Sequence, residues 1–259
     1  MSTDDHRRGV DQIDPGSGEP VFFSPDVWRG NELSAAGGPV CDTGYPALNA
    51  LLPGGGWPVT QLLECLTEHD GVGELRMLLP ALARLAQQQV GWIVWIAPPY
   101  LPNAPALLQW GLAPERMLVI HPRCPADAAW AAEQALTAGT CIAVLLWADT
   151  LARGRAVVPA MRDLDKHPSN ERTVSMPKLT RRLQVLANKH QCWPVLMRHA
   201  AARKQPSAAP IRVWLSASDQ QRDLHLLKVR GGRPGVIRDF DAGIDQGAVI
   251  NLPNSTESG

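Results

Sequence analysis

Residues 42–79, DTGYPALNALLPGGGWPVTQLLECLTEHDGVGELRMLL, decide how the rest of the chain is read. The run Gly54-Gly55-Gly56-Trp57-Pro58 forces a turn, because glycine enters positive φ at little cost and proline cannot continue a hydrogen-bonded ladder. Val59 to Leu66 is short and mostly apolar, the composition of a strand buried on both faces of a parallel sheet. A loop follows, Thr67 to Gly73. From Glu74, the positions Leu75, Leu78, Leu79, Leu82 and Leu85 recur at helical spacing and predict a helix to Gln89. Strand, glycine-containing loop, helix is the order of a phosphate-binding loop.

The residues that perform phosphate chemistry are missing from that loop. A working loop reads GxxxxGK followed by Ser or Thr: backbone N–H groups approach phosphate, the lysine reaches the β/γ-phosphates, and the hydroxyl holds magnesium. Here Thr67-Glu68-His69-Asp70-Gly71-Val72-Gly73-Glu74 has neither lysine nor hydroxyl after either glycine, and it carries three carboxylates. A like charge about 5 Å away costs roughly 3 kcal/mol at an effective dielectric near 20, so these acids oppose nucleotide binding. A carboxylate at a helix N-terminus is favourable in itself. Glu74 is therefore expected to fill the helix end that phosphate occupies in an active loop. Spacing alone leaves two readings open, an ordinary strand-loop-helix and an inherited but inactive phosphate loop.

Thr43 to Pro58, TGYPALNALLPGGGWP, with Val27-Trp28-Arg29 ahead of it and Glu64 closing the strand, resembles the ImuA family of bacterial translesion-synthesis accessory proteins. That family is related to the RecA recombinase core and has been compared with SulA-type division inhibitors. The likeness is most specific over residues 27–79 and extends to about residue 240. It implies an α/β, RecA-like P-loop NTPase fold with a largely parallel central sheet and a degenerate phosphate-binding loop. It further implies a non-catalytic accessory of SOS-induced, error-prone synthesis, with no cofactor and no small-molecule substrate. The implied partners are an ImuB-type inactive Y-family polymerase homologue, an error-prone replicative-type DNA polymerase alpha subunit and the RecA filament, with single-stranded DNA as a further candidate. A SulA-like inhibitor of the tubulin-like division protein and an active RecA-type ATPase are the alternatives.

Two further features weigh against the ATPase. RecA-type ATPases carry a catalytic glutamate just past the strand expected at Trp92–Ala97, and this chain has PPYLPN there, without an acid. They also end a later strand in a magnesium-linked aspartate. Here Trp147 holds that position and Asp149 lies two residues beyond, equally placed to cap the next element. Arg198-His199 stands where the RecA pattern places a nucleotide-sensing side chain.

The whole chain of 259 residues allows one domain of about 200 residues with tails. Residues 1–26 and 241–259 read as disordered tails and 27–240 as the domain. No apolar run approaches the roughly 18 residues of a membrane span, and the N-terminus lacks a secretory pattern, so the expected compartment is the cytoplasm without membrane contact. Five scattered cysteines without CxxC spacing read as reduced thiols and exclude the usual zinc patterns.

Strands are expected at Trp92–Ala97, Met117–His121, Cys141–Trp147 and Pro194–Met197, alternating with helices near Ala104–Trp110, Ala126–Ala138 and Lys178–His190. Such alternation implies a largely parallel sheet. Residues 151–176 read as a mobile loop with a short helix, Ala200–Pro210 as a flexible connector, and Ile211–Ala217 and Leu224–Val229 as strands of an antiparallel end. Net charge is zero, yet residues 151–240 carry 18 Lys/Arg against 6 Asp/Glu. That asymmetry points to an acidic partner, and the candidate DNA- or partner-binding residues are Arg153, Arg155, Lys178, Arg181, Arg182, Lys189, Arg203, Lys204, Arg230, Arg233 and Arg238. Arg230-Gly231-Gly232-Arg233 is either a plain hairpin turn or two guanidinium groups offered to phosphate. The dispersed histidines His121, His190, His199 and His225 assemble no catalytic constellation.

Overall fold

The computed structural model describes residues 38–150, 174–217 and 221–240. The expectations for both tails, for Val27-Trp28-Arg29, for most of the 151–176 loop and for Arg153 and Arg155 lie outside the described residues. In chain order the elements are β1 (Val40–Cys41), α1 (Pro46–Asn49), β2 (Trp57–Pro58), β3 (Leu63–Thr67), α2 (Glu74–Gln88), β4 (Trp92–Ile96), α3 (Ala104–Gln109), β5 (Met117–Ile120), α4 (Pro125–Thr137), β6 (Cys141–Trp147), α5 (Met176–His190), β7 (Trp193–His199), β8 (Ile211–Ala217), β9 (Arg222–Val229) and β10 (Gly235–Ile237).

Eight strands form one sheet in the order β10-β9-β8-β3-β7-β6-β4-β5, with β1 and β2 making a separate antiparallel ribbon. The six strands from β8 to β5 are mutually parallel, while β9 and β10 extend the sheet antiparallel. The fold is therefore α/β with a mostly parallel central sheet, as the alternation implied. Parallel strands covered on both faces are mostly apolar, and every residue of β3 is buried, Glu64 and Thr67 included.

Two apolar layers flank the sheet. On one face Met77, Leu78 and Leu82 of α2 and Leu107 of α3 pack on Cys65, Trp95, Leu145 and Val195. On the other, Ala128, Ala132 and Leu136 of α4 and Leu179 and Leu183 of α5 pack on Val94, Ile96, Val144 and Leu196. Alanines on α4 let it approach closely. Lys178, Arg181, Arg182 and Lys189 point outward from α5, as its periodicity requires.

Two expectations need correction. The strand before the loop starts at Leu63, not Val59, because Trp57-Pro58 pairs with Val40-Cys41 in the separate ribbon and Val59-Thr60-Gln61 turns between the two sheets. The apolar run does not mark that break. The segment from Ala200 is no flexible connector: Ala200–Lys204 is a 3-10 helix, and Ala200, Ala202 and Ala209 are buried. Small side chains read as linker composition here serve close packing.

Helix α2 contains Pro80, which cannot donate to the carbonyl four residues back at Arg76. The Tyr45 hydroxyl donates to that carbonyl instead, at 2.9 Å. Gly44, at φ +86°, lets the chain pass so near that an added Cβ would lie 2.6 Å from Pro80 Cβ. The sequence preceding β2 thus braces the first turns of the helix that follows the loop.

Candidate functional site

The glycine loop stands at the carboxyl end of β3, the strand between β7 and β8. Gly71 (φ +83°) and Gly73 (φ +116°) adopt left-handed conformations that side chains resist, and Gly73 caps α2. This turns the loop's N–H groups inward. The carboxylate of Glu74, 5 % exposed, folds back over its own loop. Its Oε1 accepts from Gly71 N at 2.8 Å and its Oε2 from Gly73 N at 3.1 Å. Two backbone donors at the start of α2 are thereby occupied by the protein's own carboxylate.

The neighbouring acids are arranged differently from one another. Glu68 turns away from the loop and accepts from the Trp214 indole N–H with both oxygens, at 2.9 and 3.1 Å. Asp70 and Glu74, with Thr67, Asp149, Arg198 and His199, line a cavity of about 10 Å³, room for one water molecule. The element that Asp149 was expected to cap lies outside the described residues. Within them, Asp149 Oδ2 accepts from the His199 N–H at 2.6 Å and ties the end of β6 to that of β7. Among the described residues, no group of three or more His, Cys, Asp or Glu is placed to hold a metal ion.

Beside the loop, at the carboxyl ends of β4 and β6, lies a cleft of about 420 Å³. Trp95, Trp147, Trp110, Tyr100 and the prolines of Pro98-Pro99-Tyr100-Leu101-Pro102 form its walls. The crossover after β4 runs on one face of the sheet and that after β6 on the other, the arrangement at which open α/β sheets form crevices.

Arg198 is committed to a buried ion network. Glu64 has no exposed surface, and Arg198 and Arg212 are 6 % and 8 % exposed. Glu64 accepts from Arg198 at 2.9 Å and from Arg212 Nε at 2.7 Å. The second guanidinium is satisfied by carbonyls of the 3-10 helix and of the residue that follows it, Ala202 at 3.0 Å and Gln205 at 3.1 Å among them. Arg198 donates as well to Gln205 Oε1, at 2.7 Å.

No family model matches this chain, and no curated protein is significantly similar to it.

The candidate cations do not converge on one surface. Lys178, Arg181, Arg182 and Lys189 share the outer side of α5. Arg230 and Arg233 are exposed in the β9–β10 hairpin turn, at the sheet end opposite the glycine loop. Arg203 lies over the Trp214 ring, 3.8 Å from its centroid, and donates to Ala200 O. His225 stacks on the same ring at 4.2 Å. Arg238 pairs with Asp223 at 2.8 Å, and Lys204 is exposed at the end of the 3-10 helix. A single basic face running to Arg238 is therefore not what the fold builds, because successive basic segments sit on different layers and ends. Arg212 and Trp214 were not singled out by sequence reading: alternation in β8 places both opposite the apolar face, where a polar or aromatic side chain reads as solvent-facing.

Proposed function

We propose that this protein is a non-catalytic, RecA-like accessory of SOS-induced translesion synthesis, which engages polymerase partners and the RecA filament without turning over nucleotide. The observation that carries the non-catalytic part is the Glu74 carboxylate seated on Gly71 and Gly73. Counted from the loop strand, the parallel strands run 3-2-4-5-1-6. That order separates the first strand from the second, unlike dinucleotide-binding or flavodoxin-like sheets, and is compatible with a RecA-like core. The resemblance of residues 43–58 to the ImuA family supplies the pathway and the partners. With its cradle closed, such a domain still offers a protomer-like surface to a filament end.

Two measurements test the reading. Calorimetry with Mg-ATP is expected to give no binding heat, while Glu74→Ala, which frees two loop donors, is expected to gain weak phosphate binding seen as a thermal upshift. Purified protein added below stoichiometry to RecA filaments on single-stranded DNA is expected to change filament length and ATPase rate. Unchanged filaments would overturn the proposal, and division arrest on overproduction would favour a SulA-like inhibitor in its place.

A further inference from the structure

The helical layer of α4 and α5 carries a feature that the loop does not explain. Trp130, on the outer side of α4, is 64 % exposed. One turn on, Glu133 accepts from Arg182 of α5 at 3.1 Å, so Trp130 stands one helical turn from the residue that joins the two helices. Helix α5 reads MPKLTRRLQVLANKH and has no acidic residue. Lys178, Arg182, Val185 and Lys189 follow one another at spacings of four, three and four, so they form one stripe about 16 Å long. Arg181 adds a further cation beside it.

We infer that this face binds single-stranded nucleic acid, with Trp130 stacking on a base and Lys178, Arg182 and Lys189 contacting successive phosphates. The charge complementarity is direct: Lys178, Arg181, Arg182 and Lys189 outnumber Asp127 and Glu133, and Glu133 is matched to Arg182. Arg182 pairs with Glu133 through one terminal nitrogen and its side chain is 69 % exposed, so its remaining N–H donors can reach a phosphate without giving up the pair. An aromatic plane beside a row of cations is the minimal platform for unpaired bases, since every base offers a π-face. A duplex hides those faces. An acidic peptide would use the cations and leave the indole idle, and apart from Trp130 and Val185 the stripe lacks the apolar centre of a protein interface. The inference gives the proposed role a nucleic-acid surface and rests on that role for its biological setting only.

The test uses the full chain and fluorescein-labelled oligo-dT, followed by anisotropy between 50 and 200 mM salt. Trp130→Ala is expected to weaken binding about 5- to 150-fold, the range for losing one stacked base, and Trp130→Phe to retain most of the affinity. Lys178→Glu with Arg182→Glu and Lys189→Glu is expected to weaken binding and to flatten the log–log salt slope by about 2. These residues are exposed, and an unchanged thermal melt confirms that the variants fold. Wild-type binding by Trp130→Ala, equal affinity for a duplex of the same length, or equal competition by polyglutamate would each overturn the assignment. Filament assays fail independently of this one: oligo-dT binding with inert RecA filaments refutes the proposed function and leaves the surface standing.

Discussion

Glu64 and Glu74 lie ten residues apart on one strand-loop unit, and each is matched to donors from the protein itself. Their energetics differ. Glu64 neutralises one of two buried guanidinium groups, so its removal strands positive charge away from water. Glu64→Ala is expected to lower stability by about 3–5 kcal/mol in urea titration, whereas Glu64→Leu with Arg198→Met and Arg212→Met should recover most of the loss. A cost below about 1 kcal/mol for the single substitution would show that water already reaches the network. The titration of His225 gives a second prediction. Desolvation holds its imidazole below the ordinary histidine value, Arg238 and Arg203 add to this, and Asp223 and Glu68 oppose it. The unfolded chain then takes up the proton more readily than the folded one. Stability from this group is complete above about pH 6.5 and declines as pH falls toward the lower folded value. Melting temperature measured from pH 7.5 to 5 should drop less for His225→Phe than for the parent protein. Of these residues, Glu74 was legible in advance because its role is local, fixed by two glycines within three positions. Arg212 was not, since its partner stands 148 residues away.

Elements were legible where local chemistry marks their ends. Helix α2 begins at Glu74 because Gly73 alone accepts the backbone angle there, and it runs on until its apolar stripe stops near Gln88. β3 could not be bounded in the same way, because Val59 to Leu66 stays apolar across a change from ribbon to sheet. The alanines after β7 misled in the opposite sense, being buried under the carbonyls that Arg212 holds. One prediction belongs to this scale. Tyr45→Phe removes the hydroxyl that serves the Arg76 carbonyl and is expected to cost about 0.5–1.5 kcal/mol. Pro80→Ala restores a helical N–H to the same carbonyl, so the double variant should lose less than Tyr45→Phe alone. A double-mutant cycle by chemical denaturation reads the coupling directly, and strict additivity would mean that the hydroxyl and the proline act independently.

For the whole molecule, alternation of strands and helices disclosed a parallel sheet, but not its order. Periodicity says which side of a strand faces inward and nothing about which strand lies next to it. The charge excess of residues 151–240 was likewise visible as a number and misleading as a surface. Among the described residues, Arg198 and Arg212 are spent inside, Arg203 on an indole and Arg238 on Asp223, while the exposed cations are divided among α5, the 3-10 helix, β9 and a distant hairpin. No described helix is long and apolar enough to cross a membrane.

The placement of β3 carries a consequence for how the chain comes into being. Its two neighbours begin about 130 and 150 positions downstream, as Leu63 faces Val195 on one side and Ile211 on the other. At ribosomal speeds of about 5–20 residues per second, the middle of the sheet waits roughly 7–30 s for its flanking strands. Throughout that interval a segment apolar except for Glu64 and Thr67 has no permanent neighbour, so nascent-chain helpers are expected to matter more for this protein than its modest size suggests.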